Sequence, residues 1–290
     1  MASIVVCLLA RNCEMHLENV FRQLDGLSEQ FSEVRILFIE NNSTDRTRER
    51  IKAYAAGHRN TLADCFDDAS LDELHRIEKM VRLRNRALEL VREACETEPD
   101  VLLMADADVD FRTGNLSKII RNAPPDWVSL SANGRYYFSS VGFRLPVLYY
   151  DLFAYVPANS RTVMFSENEM LNNRFELHRA LRKWRYVPCR SAFGGMTVYR
   201  YAAIKDNMYT LEKNTETDDF EYLCEHIPFS LRLAASGRSY ICREMKVLYE
   251  PVTPVVYRML LRRRLTQRYI QKQAKKILRQ RKREAQRAEK

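Results

Sequence analysis

Residues 3 to 9, "SIVVCLL", and 34 to 40, "VRILFIE", are unbroken apolar runs of strand length, the pattern of strands buried on both faces. Between them Leu17, Val20, Phe21, Leu24 and Leu27 recur at spacings of three and four, which predicts an amphipathic helix. The stretch "NNSTDRTRERI" then offers Ser43 or Thr44 as a helix cap, and a long helical pattern from about Arg76 to Thr97 leads into a third strand, "VLLMAD". Strand and helix in repeated alternation predict a doubly wound α/β fold with a mixed, mainly parallel sheet flanked by helices. Ligands of such sheets bind at the carboxyl ends of the strands. After Trp127 the pattern turns to mixed strands and loops, with one more helix near "NEMLNNRFELHRALRKW". No internal repeat interrupts this order.

The strand ends are where the polar residues gather. Arg11 and Asn12 follow the first strand, Glu40, Asn41 and Asn42 the second, and Asp106 and Asp108 the third. In "VLLMADADVDF" the acids Asp106, Asp108 and Asp110 alternate, so a continuing strand would turn all three to one side. Carboxylates held together need a cation, and an oxygen-only cluster suits Mg²⁺ or Mn²⁺. A solvated strand end is the plain alternative.

Charge changes the picture only once it is divided along the chain. The net charge of the 290 residues is +9, but Val255 to Lys290 holds fourteen Lys or Arg against two Glu, leaving the remainder at −3. The body is therefore no nucleic-acid surface. The basic segment carries Met259, Leu260, Leu265, Tyr269, Ile277 and Leu278 near helical spacing, the pattern of an amphipathic cationic helix. It is read as a second unit, 253–290, appended to a catalytic unit at 1–252, and as suited to an anionic membrane surface. A solvated tail, a docking helix for a protein partner and nonspecific RNA binding are its alternatives. The seven cysteines are scattered and form no C-x-x-C pair, so they read as reduced thiols in a cytosol-like compartment. "MASIVVCLLARNC" lacks the basic start of a secretory signal, and no window offers a membrane span. The expected location is cytoplasmic, with peripheral membrane attachment through the tail.

The order "LLARN", "FIENNSTDRT", "RLRNRAL", "MADADVDF", "FGGMTVYR", "CEHIPFSLRLAASG" resembles nucleotide-sugar glycosyltransferases of the GT-A fold over about residues 3 to 250, with a flavour of fungal capsule mannosyltransferases and of glycosyltransferases of large algal viruses. The resemblance implies a UDP- or GDP-sugar donor, a Mn²⁺ or Mg²⁺ cofactor and a hydroxyl acceptor on a glycan, lipid or protein. It implies that Asp108 binds the metal and that Asp106 reaches the ribose or completes the metal shell. Arg11, Glu40 and Asn42 would face the nucleotide, although Asn41, Asn42 and Asp45 suit a turn or cap equally well. Arg84 and Asn85 match the family's Arg-Asn on the helix before the Asp-x-Asp strand, where a guanidinium pairs with phosphate or with the acids. Gly194 and Gly195 would let backbone approach the donor sugar or acceptor, and Tyr150 and Asp151 resemble a motif near the acceptor.

Glu225 leads directly into a helix, the family's layout for the base of an inverting single displacement. Where many relatives show Glu-Asp, this chain shows Glu225-His226, so His226 is read as a third metal ligand, a phosphate contact or a structural residue. Asp218 and Asp219 are rival bases. Asp110 has no role in the resemblance and is read as a cap for a helix beginning near Thr113. Two other classes compete with a transferase of sugars. A nucleotidyltransferase would need a Gly-rich basic loop after its first strand, which "LLARNCEMHL" lacks. A membrane- or RNA-binding protein on an inert α/β body would rest on the tail alone.

Overall fold

The computed structural model describes residues 1–140, 143–215 and 220–249. The basic segment from 253 onward and the rival bases Asp218 and Asp219 lie outside the described residues. Eleven strands form one sheet. Strand β1 (Ser3–Ala10) lies between β2 (Glu33–Asn41) and β4 (Val101–Asp106), parallel to both, which is why its apolar run is unbroken. Beyond β2 the parallel set ends in β3 (Thr61–Phe66). The sequence reading passed over this strand. "TLADCF" is short and half-buried at the sheet edge, so it carries little of the apolar signal of an inner strand.

On the other side of β4 the sheet changes direction. Strand β10 (Met196–Arg200) runs antiparallel to β4 and to β6 (Trp127–Ser140), so β6 points the same way as β4. Next come β11 (Arg238–Tyr249), parallel to β6, then antiparallel β9 (Tyr186–Ser191) and the short β8 (Val156–Pro157). Two strands lie off this path: β5 (Val109–Phe111) pairs with β11, and β7 (Phe143–Tyr149) with β6. The two longest ladders, β6 with β11 and β1 with β2, are parallel.

Helices cover both faces. Helices α1 (Glu14–Asp25) and α2 (Thr47–Gly57) bury Leu17, Val20, Leu24 and Ile51 in the core of one face, against Val6, Leu8 and Phe38. The other face holds α4 (Arg76–Ala94) and α8 (His226–Leu233), packed with Val5, Leu102 and Met104. A third core lies where α6 (Glu167–Lys183) sets Leu177 and Leu181 on Tyr149 and Ile241. The remaining helices, α3 (Ser70–Glu73), α5 (Leu116–Arg121) and α7 (Tyr201–Ile204), are connectors of one or two turns. Among the described residues no helix is long and apolar enough to cross a membrane.

Three local expectations are corrected. The cap before α2 is neither Ser43 nor Thr44. Asp45 accepts from Thr47 N at 2.9 Å and from Glu14 N at 3.1 Å, so one carboxylate serves the starts of α1 and α2 together. Nor do the three alternating aspartates converge. The chain turns at Ala107 and Asp108, and β5 then leaves to pair with β11, taking Asp110 to within 3.7 Å of His16 Nδ1. Helix α5 starts later than expected, at Leu116, with Asn115 before it and no side-chain cap.

Candidate active site

The parallel strands β1, β2 and β4 end together, which brings Arg11, Asn42 and Asp106 to one edge of the sheet. Because β10 runs the opposite way, it begins at that edge, and the loop Gly194–Gly195 arrives beside Asp106. Asp106 N donates to Gly195 O at 3.1 Å. Both glycines have left-handed backbone, with φ of +67° and +80°. A Cβ on Gly194 would lie 2.3 Å from Ala132 O, and one on Gly195 would lie 2.6 Å from Tyr150 Oη. No side chain fits at either position, so the pair is a structural necessity that also keeps the edge clear.

The centre of the site is Arg84, which α4 projects into the protein at 1% exposure. Its Nε donates to Glu225 Oε1 at 3.0 Å and its Nη2 to Asp106 Oδ1 at 3.2 Å, while the guanidinium lies 4.4 Å from the centre of the Phe193 ring. Its Nη1 is buried with no partner. Burial works against the charge of Arg84, but Asp106 and Glu225 more than offset it and hold its pKa above the ordinary arginine value.

Three carboxylates, Asp106, Glu225 and Asp151, share this one cation, and the charge of Asp108 acts on Asp106. Burial pushes Asp106 up to about 7; Arg84 pulls it down, and the charges of Asp108 and Glu225 push it up further. Burial likewise raises Asp151 to about 6, against the pull of the Gly194 N–H that it accepts at 2.7 Å. Asp108 is exposed at the turn. Glu225, buried at the start of α8, has Oε1 on Arg84 and only the Cys224 thiol, 3.5 Å away, near Oε2. His226 stacks on Phe193 at 4.0 Å and 15°, edge-on to Tyr209. Its Nε2 is 3.5 Å from Glu225 Oε1, and neither ring nitrogen has a hydrogen-bond partner. Burial, then Arg84 and Arg76, depress its pKa well below the usual histidine value, so the ring is neutral.

The sequence candidates therefore separate into two groups. Asp106, Asp108, Arg84, Glu225, His226, Asp151, Tyr150, Gly194 and Gly195 form one connected cluster. The others are tied into the loops beside it. Glu40 is fully buried, with Ser43 N on one oxygen and Arg48 on the other. Asn42 spans to the loop after β3, exchanging hydrogen bonds with the backbone of Asp68 and donating to Asp72. Arg11 pairs with Asp72 at 2.6 Å. As placed, Glu40 and Asn42 brace the loops; Glu40 is fully buried, whereas Arg11 and Asn42 are partly exposed. Phe193 and Asp72 were missed by the sequence reading. Phe193 precedes the glycines and could have been noticed as an aromatic beside a tight turn, whereas nothing local marks Asp72.

The donor set fits a divalent cation. Two carboxylates two residues apart at a turn, one exposed and one raised by burial and then by the charges of Asp108 and Glu225, are what Mg²⁺ or Mn²⁺ takes from a protein when substrate phosphates supply the rest. Among the described residues no three His, Cys, Asp or Glu side chains are placed to hold a metal ion together.

Several solved structures are similar to the chain. A mannosyltransferase from Pyrobaculum calidifontis, PcManGT, in complex with GDP-Man and Mn²⁺, is 12% identical, with a TM-score of 0.48 over 89% of this chain and 59% of that one. Staphylococcus aureus TarS 1-349 in complex with UDP is 16% identical, with a TM-score of 0.48 over 87% and 61%. The glucosyl-3-phosphoglycerate synthase of Mycobacterium tuberculosis with UDP is 14% identical, at 0.41 over 90% and 76%. The chain thus spans about three fifths of the length of the first two. No curated protein matches it. Residues 3–244, which include every side chain of the cluster, match the family model described as cryptococcal mannosyltransferase 1, and the chain belongs to that family of glycosyltransferases.

Proposed function

We propose that the protein transfers a sugar from a nucleoside-diphosphate sugar, UDP- or GDP-linked, to a hydroxyl of a glycan, lipid or protein acceptor, using Mn²⁺ or Mg²⁺ held by Asp106 and Asp108. The observation that carries this reading is the excess of carboxylate over cation around Arg84 at the carboxyl ends of the strands. A bound divalent cation supplies charge neutralisation for the departing diphosphate. The residues of the chain do the rest. Arg84 fixes Asp106 and Glu225 relative to each other, and the Gly194–Gly195 turn, held by Asp151 and Asp106, keeps bulk away from the sugar.

Glu225 is the proposed base. One of its oxygens is anchored by a guanidinium, and the other accepts only from the weakly donating Cys224 thiol, which leaves a lone pair for an acceptor hydroxyl, the arrangement of a base with an orienting partner. Deprotonation there, with attack on the anomeric carbon from the face opposite the leaving group, gives inversion. Asp151 offers a second reading. It is less buried than Glu225, and its carboxyl is raised to about 6, which poises it to take a proton near neutral pH. Membrane attachment through residues 255–290 belongs to the proposal on sequence grounds, and truncation after Pro254 should abolish salt-sensitive binding to anionic liposomes.

The deciding experiment is donor turnover across a panel of nucleotide sugars with Mn²⁺, with and without EDTA. Turnover that needs the metal and falls in Asp108→Asn supports the reading; full turnover in EDTA overturns it.

A further inference from the structure

A second concentration of polar groups lies on the sheet beside the acid cluster, and its sign is opposite. Asn133 and Arg135 are alternate residues of β6 and share a face. Lys246 of β11 pairs with Asn133, and Tyr149 of β7 pairs with Arg135, so all four belong to that face. Tyr149 packs there against Leu177 of α6, and Asn173 precedes Leu177 by one turn on the same stripe.

The side chains gathered here are rich in hydrogen-bond donors and short of partners. Among the described residues Asn133 Nδ2, Tyr149 Oη and Asn173 Nδ2 are buried with no hydrogen bond, and Asn133 and Tyr149 are each only 2% exposed. Among the described residues Arg135 and Lys246 make no ion pair or hydrogen bond. Glu244, the acid that acts on Lys246, is already held by Arg185 at 2.7 Å. Residues 136–148 contain no Asp or Glu, so the hairpin sequence cannot supply a counter-charge. Arg135 is lowered by burial, with no acid opposing it. Lys246 is lowered by burial, then by Arg135 and Arg112. His178 is lowered to about 4 by burial, then by Arg135 and Arg182. Lys246 is exposed at the rim of the group, whereas the buried donors and the half-buried Arg135 cost stability without an acceptor until an anion supplies one.

The place of this cluster gives it a use. Only β10 separates β6 from β4, which carries Asp106, and Tyr149 leads directly into Tyr150 and Asp151 of the acid cluster. We infer that Asn133, Arg135, Tyr149, Asn173 and Lys246 form a binding site for a phosphate or carboxylate group carried by the acceptor, seated one strand away from the metal-binding acids. This rests on the transferase reading proposed above. The diphosphate of the donor belongs with Asp106 and Asp108, so the second anion comes from the other substrate.

The test uses the full chain with the nucleoside diphosphate and Mn²⁺ present at saturation, so that the catalytic phosphate site is filled. Inorganic phosphate and a hexose phosphate are then titrated by calorimetry. Both should bind, and Lys246→Gln and Arg135→Gln should each weaken binding about tenfold, the loss expected for one charge-assisted contact. Arg135→Lys should recover part of that loss, and melting curves without phosphate identify any variant that merely fails to fold. In transfer assays the hexose phosphate should show a lower KM than the uncharged hexose, and Lys246→Gln should remove that preference. Phosphate that only competes with the nucleoside diphosphate, or binding that is equal in wild type and both Gln variants, overturns the site. A hexose phosphate bound as predicted but never preferred as acceptor overturns its assignment to the acceptor. Absence of donor turnover with every acceptor, while phosphate still binds through Lys246, would instead overturn the transferase reading.

Discussion

Two acid–arginine groups lie at the same edge of the sheet, at the ends of β2 and β4 on either side of β1, and behave in opposite ways. At the end of β2, Glu40 meets Arg48, Arg48 also meets Asp67 and the Phe66 carbonyl, and Ser43 N takes the other oxygen of Glu40. Every polar group in that set is paired. At the end of β4, Arg84 serves both Asp106 and Glu225, Asp108 and Asp151 add further negative charge, and Arg84 Nη1 and the His226 nitrogens have nothing to bond. The first arrangement is finished when the chain folds. The second is finished only when something else arrives, and this separates a brace from a binding site more sharply than residue type does.

The difference can be attacked from both ends. The largest effect should come from Asp108→Asn. In the proposed metal role, losing this acid removes several kcal/mol of leaving-group stabilisation, so turnover should fall about 1,000-fold while the melting temperature holds, because Asp108 is exposed. Retained turnover would place the unfinished charge elsewhere. Next, Glu225→Gln keeps the shape and the bond from Arg84 but loses basicity, and transfer should drop about 100-fold with donor binding intact by calorimetry. If Asp151→Asn gives that drop and Glu225→Gln does not, the roles of the two acids are exchanged.

The finished group should respond in stability. Glu40→Gln should cost about 2 kcal/mol, less than the 3–5 typical of a wholly buried pair, because the Arg48 side chain is 26% exposed and keeps Asp67. That corresponds to roughly 4 to 8 °C in melting temperature, with little change in the KM for donor. A large rise in KM without loss of stability would return Glu40 to the nucleotide.

The smallest effect is on pH. Asp106, at about 7, and Asp151, at about 6, hold protons more tightly folded than unfolded, where 3.8 is the ordinary value. Their contribution is therefore full below the unfolded value and is lost as pH rises through the folded ones, so metal-free protein should melt progressively earlier from about pH 4 to pH 7. Mn²⁺ must displace those protons, so the melting gain it confers should be larger at about pH 7.5 than at about pH 5.5. Equal gains at both would mean that the raised acids do not meet the metal.

The same contrast explains how far the sequence could be read. Inner strands were legible because burial on two faces forces unbroken apolar runs, as in β1 and β4, whereas β3 at the edge needed no such run. Asp106, Asp108, Arg84 and Glu225 were legible as a set because they recur in the pattern of a known family. Sequence could not show that Glu40 and Asn42 face inward, because an acid or amide after a strand looks the same whether its partner is Arg48, Asp68 or a ribose. Asp110 was misjudged because the turn at Ala107 and Asp108 breaks the alternation, and that turn depends on β5 finding β11, far along the chain. The orphan donors around Asn133 and Asn173 are equally silent, since only the register of β6, β7 and β11 brings them onto one face.

The bond from Arg84 to Glu225 spans 141 residues, whereas that from Arg84 to Asp106 spans 22. Closing the longer loop costs more chain entropy, which favours the shorter contact forming first. Arg84 thus finds its first carboxylate early in folding and its second late. The two carboxylates of the cluster join Arg84 in that order, so a chain arrested before α8 docks has the turn of Asp106 and Asp108 without Glu225.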